Sequence, residues 1–179
     1  MNRTEKSLAT PIHNGKTDMT TEDQLREKRI LAVDDEPDVL DIISEQLAPY
    51  EVITAKSYEE AEKILAGSSF NLALLDIMGV NGFALLETCR KKGVPAAMLT
   101  AHSIDVESVN RALELGAVSF LPKGELVNIE EHVADILEGL NQGRSHWRRL
   151  FDRLGPFFRD QLGLTWDNIG KPRNPPYMY

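Results

Sequence analysis

Five short apolar runs, each followed by a longer amphipathic stretch, succeed one another between residues 30 and 141. They are Ile30–Val33, Glu51–Ala55, Phe70–Asp76, Ala96–Leu99 and Val118–Leu121. Most are too short for independent helices and lack strict apolar/polar alternation, which marks strands buried on both faces. Strands that alternate with helical stretches build a parallel sheet with helices on both sides, so the expected class is α/β, a doubly wound five-stranded sheet. In such sheets ligands bind beyond the carboxyl ends of the strands. Four of the five runs end on residues that carry chemistry: Asp34-Asp35, Asp76, Thr100 and Lys123.

The punctuation between the runs supports this division. Pro37 suits the first turn of a helix whose stripe is Leu40, Ile43 and Leu47, and Pro49-Tyr50 closes it. Ser57-Tyr58-Glu59-Glu60 is a capping-box sequence that opens a second helix with Tyr58, Ala61, Ile64 and Leu65 on one face, stopped by Gly67. A turn through Gly79 and Gly82 leads into a third, with Phe83, Leu86 and Cys89 inward and Gly93 as its end. The fourth is expected from about Asp105 to Leu115, with Val106, Val109 and Leu113 inward and Gly116 as its stop. Asn128-Ile129-Glu130-Glu131 is read as the cap of the fifth, whose stripe is Ile129, Val133, Ile136, Leu137 and Leu140.

Length and charge frame this domain. A chain of 179 residues accommodates one domain plus extensions. Residues 1–28 hold five basic and five acidic groups with few large apolar side chains, and are expected to be a flexible arm with a short helix near Thr21–Lys28. The domain is placed at residues 29–141. Residues 142–179 form a basic amphipathic extension, expected to be helical, and a Pro-rich tail. Trp147, Leu150, Phe151, Leu154, Phe158 and Leu162 recur there at helical spacing opposite arginines, with Gly155-Pro156 expected to kink or break the pattern. The net charge of −8 conceals a split: residues 144–179 carry seven Lys/Arg against three Asp/Glu, leaving 13 against 25 before them. An acidic body argues against direct DNA binding. Cys89 is the lone cysteine, which excludes an internal disulfide and fits a reducing, cytoplasmic setting. No run approaches the roughly 18 apolar residues of a membrane span, so no membrane partner is expected. His13, His102, His132 and His146 lack ligand spacing.

At the sheet edge, three carboxylates brought together raise one another's pKa unless a cation compensates them. Oxygen ligands without His or Cys point to Mg²⁺ or a similar hard ion. The competing explanation is that Asp34 and Asp35 cap the following helix. A hydroxyl and an ammonium at the ends of the next two strands favour the cation site.

Asp34-Asp35-Glu36-Pro37, Asp76-Ile77-Met78, Thr100-Ala101 and Phe120-Leu121-Pro122-Lys123 together resemble the acidic pair, phosphoacceptor, switch hydroxyl and lysine of the response-regulator receiver family. The resemblance covers about residues 29–141. It implies a flavodoxin-like, CheY-like sheet of order 2-1-3-4-5, a strand order that general descriptions of doubly wound folds already give for this family. It further implies that Asp76 accepts a phosphoryl group from a sensor histidine kinase or phosphotransfer protein. Mg²⁺ would be bound by Asp35, by Asp34 largely through water, by Asp76 and by the backbone carbonyl of Met78. Lys123 would neutralise the phosphoryl group, Thr100 would hydrogen-bond it, and Phe120 would turn inward behind it. A strand-end hydroxyl bonding its own turn, and a permanent core aromatic, are the plainer readings of those last two.

Two departures from the family pattern stand out. Gly82 comes six residues after Asp76 where the family reaches glycine after eight, so this loop is short by two. Gly124 follows Lys123 where the family has proline, which predicts a trans bond there. The short loop keeps a second function in play, a pseudo-receiver that works as an interaction module without phosphate. With 36 residues after 143, a stand-alone receiver acting through protein contacts on an unknown downstream target is expected, and not a turnover enzyme. Residues 144–162 are expected to pack on the domain, to form a homodimer or to bind a partner.

Overall fold

The computed structural model describes residues 25–101 and 105–143, together with Gly155 and Arg159, both helical. Most of the N-terminal arm, the aromatic stripe of 144–162 and the Pro-rich tail therefore lie outside the described residues. Five strands, β1 (Arg29–Val33), β2 (Glu51–Ala55), β3 (Leu72–Asp76), β4 (Ala96–Thr100) and β5 (Ser119–Pro122), form one sheet ordered β2-β1-β3-β4-β5. Every pairing is parallel. The helices are α1 (Pro37–Gln46), α2 (Tyr58–Gly67), α3 (Gly82–Lys92), α4 (Val106–Leu115) and α5 (Ile129–Asn141), with a 3-10 segment at Lys123–Asn128.

The chain steps from β1 outward to β2, returns past β1 to β3, and proceeds to β5. Right-handed crossovers put the helices of those two directions on opposite faces. Helix α1 accordingly packs with α5, while α2, α3 and α4 pack in succession on the other side. All residues of β3 and β4 are buried, as strands covered on both faces must be. The outer strand β2 is buried only at Ala55.

Local chemistry sets the helix ends. Ser57 accepts from Glu60 N (3.2 Å), but the Glu60 carboxylate reaches Lys56 N (2.8 Å), one residue before the usual partner of a capping box. Asp105 caps α4 by accepting from Ser108 N at 2.6 Å. Gly93 and Gly116 end α3 and α4 at φ 71° and 91°.

Two expectations are corrected. Asn128 makes no side-chain cap: the 3-10 segment runs directly into α5, Ile129 N donates to Leu126 O, and the Asn128 amide turns to Glu125 Oε2 at 3.1 Å. Val106 is exposed, because it is the first residue of α4, one turn before the buried Val109. The peptide bonds of the described residues are all trans, Lys123-Gly124 included.

Candidate functional site

Strand register builds the site. Val33 pairs with Leu75, so Asp34 and Asp76 leave adjacent strands level with each other. Asp76 pairs with Leu99 and Thr100 with Pro122, which carries the Thr100 hydroxyl and Lys123 to the same edge. An open cleft of roughly 500 Å³ lies there, lined by Asp35, Glu36, Asp76, Met78, Thr100 and Lys123, with Asp105 and Ser108 on its α4 side.

Asp76 is buried and held at both oxygens. Its Oδ2 accepts from the backbone N–H of Met78 (3.0 Å) and of Gly79 (2.7 Å), while Oδ1 faces Lys123 Nζ at 2.9 Å. Asp34 is fully enclosed. Its Oδ1 accepts from Glu36 N at 3.0 Å, and its Oδ2 lies 2.8 Å from Lys123 Nζ. That second contact is an ion pair without well-directed hydrogen-bond geometry, so Oδ2 is a buried oxygen with no properly aligned donor among the described residues. Lys123 directs its hydrogen bond instead to Glu36 Oε1, at 2.7 Å. Asp35 is exposed at the mouth of the cleft.

The helix-cap explanation of the acidic pair fails. Glu36 is the residue at the N-cap of α1, and no side chain caps that helix. Ligand oxygens of Asp34, Asp35 and Asp76 instead come within 4.8 Å of one another.

Charge is unevenly matched among the described residues here, with one ammonium facing three carboxylates. Burial raises Asp34 above the usual carboxylate range, and the neighbouring Asp76 adds to it; Lys123 and the Glu36 N–H only partly offset this. Burial opposes the charge of Lys123 as well, but its three carboxylates outweigh that and hold the ammonium above the ordinary lysine range. An all-oxygen cluster with excess negative charge and an ill-satisfied buried oxygen is the donor chemistry of a hard divalent cation.

The loop after Asp76 fits tightly. A Cβ on Gly79 would collide with the Asp35 carboxylate, and one on Gly82 with the backbone carbonyl of Asp76. Asn81 between them has φ 54°, in the left-handed region that asparagine tolerates better than most residues. The shortened loop is thus drawn against the acidic cluster, with the Met78 side chain left outside, 86% exposed.

In this structure Thr100 and Phe120 take the plainer of the arrangements expected for them. The Thr100 hydroxyl donates to Ala101 O at 2.9 Å, the turn-bonding alternative. Phe120 is fully enclosed in this structure. A ring without a polar atom leaves nothing unsatisfied on burial.

Sequence reasoning missed Glu36 as a partner of Lys123 and the Met78 and Gly79 amides as donors to Asp76. The first had a signal, a third acid directly after Asp34-Asp35; backbone donors have none.

Comparison with known proteins agrees with this geometry. A family model for the response regulator receiver domain matches residues 30–134. The probable transcriptional regulator ycf27 of Cyanidium caldarium is 36% identical over 145 residues, covering 78% of this chain and 57% of that protein. The two-component response regulator ARR18 of Arabidopsis thaliana is 36% identical over 129 residues, 64% of this chain and 20% of that protein. Among solved structures, a CheY-like receiver domain protein from Methanospirillum hungatei JF-1 superposes with a TM-score of 0.57 at 30% identity, covering 62% of this chain and 94% of that one. The chain spans about half the length of the first curated relatives it matches.

Proposed function

Because the chain belongs to the response-regulator receiver family, and so to two-component signalling, we propose that Asp76 accepts a phosphoryl group from a phosphohistidine on a sensor histidine kinase or phosphotransfer protein. The observation that carries this reading is Asp76 itself. It ends the middle strand, buried, with one oxygen anchored by two loop amides and the other beside an ammonium.

The anchored Oδ2 is committed to Met78 and Gly79, which leaves Oδ1 as the attacking atom. An electron pair of Oδ1 forms the new P–O bond while the P–N bond to the donor imidazole breaks; the imidazole nitrogen keeps that pair and takes a proton from solvent. Asp34, Asp35, Asp76 and the backbone carbonyl of Met78 would hold Mg²⁺, which when bound cancels charge on the transferring oxygens. Lys123 stays protonated throughout and supplies the same cancellation from the β5 side. The Thr100 hydroxyl then exchanges Ala101 O for a phosphoryl oxygen, a charge-assisted bond. Phe120, enclosed from the start, answers by repacking against the shifted Thr100 turn.

Output is read as protein contact on the face of α4, β5 and α5. The names of several relatives describe transcriptional regulators; for this acidic domain we keep protein contact and not direct DNA binding as the output. No described helix is long and apolar enough to cross a membrane. A cytoplasmic setting goes with the phosphohistidine donor, and Asp76 is modified and restored on the protein itself, without turnover of a separate substrate.

Incubation with a small phosphodonor and Mg²⁺ should add one base-labile phosphoryl group, read by intact-protein mass, and Asp76→Asn should abolish it. Labelling of the variant at the wild-type rate would remove Asp76 from the role. A folded wild type that never labels would favour the pseudo-receiver reading, which the shortened loop closed on the acidic cluster supports.

A further inference from the structure

Before any phosphate arrives, Lys123 already faces three carboxylates, and its well-directed hydrogen bond goes to Glu36 Oε1. Its Nζ lies 2.8 Å from Asp34, 2.7 Å from Glu36 and 2.9 Å from Asp76. A phosphoryl group on Asp76 Oδ1 brings oxygens to the Lys123 side of the site, and for the ammonium to turn its hydrogen bond to one of them a present partner has to give way. Asp34 has no exposed surface, and releasing it would leave a buried charge without its cation. Asp76 is the group being modified. The Glu36 side chain is 63% exposed, lines the mouth of the cleft and makes no helix-capping bond, so water can replace its lysine contact at little cost.

We infer that Glu36 is a placeholder for the phosphoryl group, holding the Lys123 ammonium in the unmodified protein and leaving it when Asp76 is phosphorylated. It is a positioning residue, acting through Lys123, and it sets how readily the site is loaded. The arrangement rests on the reading of Asp76 as phosphoacceptor. Two effects combine in it. The unmodified state is stabilised by a contact that the modified state lacks, and an anionic donor entering the cleft meets one further negative charge at its rim. Once the phosphoryl group is in place, Glu36 lies in water and no longer influences how fast that group is lost.

The test compares full-length wild type, Glu36→Gln and Glu36→Asp. Acetyl phosphate and Mg²⁺ at low ionic strength serve as the probe, and both the rate of labelling and the rate of phosphoryl loss are followed by intact mass. Glutamine removes the charge. Aspartate keeps the charge and is a good N-cap, but is one methylene shorter than a 2.7 Å contact to Lys123 requires. Both variants should label about two- to fivefold faster than wild type, the rate equivalent of an exposed ion pair, with an unchanged rate of phosphoryl loss. Equal labelling rates overturn the inference while leaving Asp76 as the acceptor. A Glu36→Asp protein that behaves as wild type overturns it too, since charge at the start of α1 would then be the cause. So does a parallel change in phosphoryl loss. Absence of label on all three folded proteins removes the acceptor reading and this inference with it.

Discussion

Replacing Lys123 with methionine tests the electrostatics of the whole site. The substitution keeps the length and apolar stem of the side chain but removes the ammonium that faces Asp34, Asp76 and Glu36 at 2.7–2.9 Å. The three partners do not contribute equally. Glu36 is largely in water, so its loss is worth at most ~1 kcal/mol. Asp34 has no exposed surface and Asp76 almost none, and a buried charge stripped of its partner costs about 3–5 kcal/mol. Asp34 escapes part of that by taking up a proton, so the expected loss at neutral pH is about 2–4 kcal/mol, or roughly 10–20 °C in Tm for a domain of this size. The sign of the pH dependence follows. Burial already raises Asp34 above its unfolded value, and removing Lys123 raises it further. A raised carboxylate contributes stability that is present below the unfolded pKa and lost as pH rises through the folded one. The deficit of the variant relative to wild type should therefore shrink as pH is lowered from 7 to 5. Urea unfolding of both proteins across that range, in chelator, measures it. A deficit below ~1 kcal/mol, or one that grows on acidification, would refute the idea that Lys123 compensates buried carboxylate charge.

Four further outcomes are expected. Asp35→Ala should weaken Mg²⁺ binding by at least tenfold in calorimetric titration; equal affinities would remove the acidic cluster as the ion's seat. Gly79→Ala forces the Asp35 carboxylate aside, so it should lower Mg²⁺ affinity and labelling rate together, whereas a thermal melt shifted with neither of these changed would place the effect elsewhere. Burial pushes the Cys89 thiol up to about 12, so native protein at pH 8 should not react with a thiol reagent, and stability should fall as pH rises from about 9 toward 12, where the unfolded chain releases a proton that the folded one keeps. Thr100→Ala should silence the chemical-shift changes that beryllofluoride causes around Phe120 and residues 106–115; identical changes in both proteins would mean that output leaves by another face.

Much of this protein is legible in its residues because the signals are local. Runs such as Leu72–Asp76 can be satisfied only by burial on both faces, and Ser57, Asp105, Gly93 and Gly116 act within one turn of where they stand. Asp34, Asp76, Thr100 and Lys123 could be nominated together because each ends a strand, and strand ends of a parallel sheet share an edge. The misreading at Asn128 arose because a capping sequence is optional once a 3-10 segment has supplied carbonyls to the helix behind it. Val106 satisfied the period of its helix, but its exposure depended on where the helix began.

The sequence alone determined where the strands lie, the burial of the central ones and which side chains reach the carboxyl edge, since these follow from apolar periodicity and backbone preference over a few residues. Only the tertiary structure decided how those side chains share one another. Register brought Asp34 level with Asp76, and the β5 edge delivered Lys123 to Glu36 across 87 positions of chain. The short loop closed until Gly79 lay against Asp35 and gave its N–H to Asp76. Ion pairs and close approaches depend on distances of a few tenths of an ångström between distant segments, and no local pattern of residues encodes such distances.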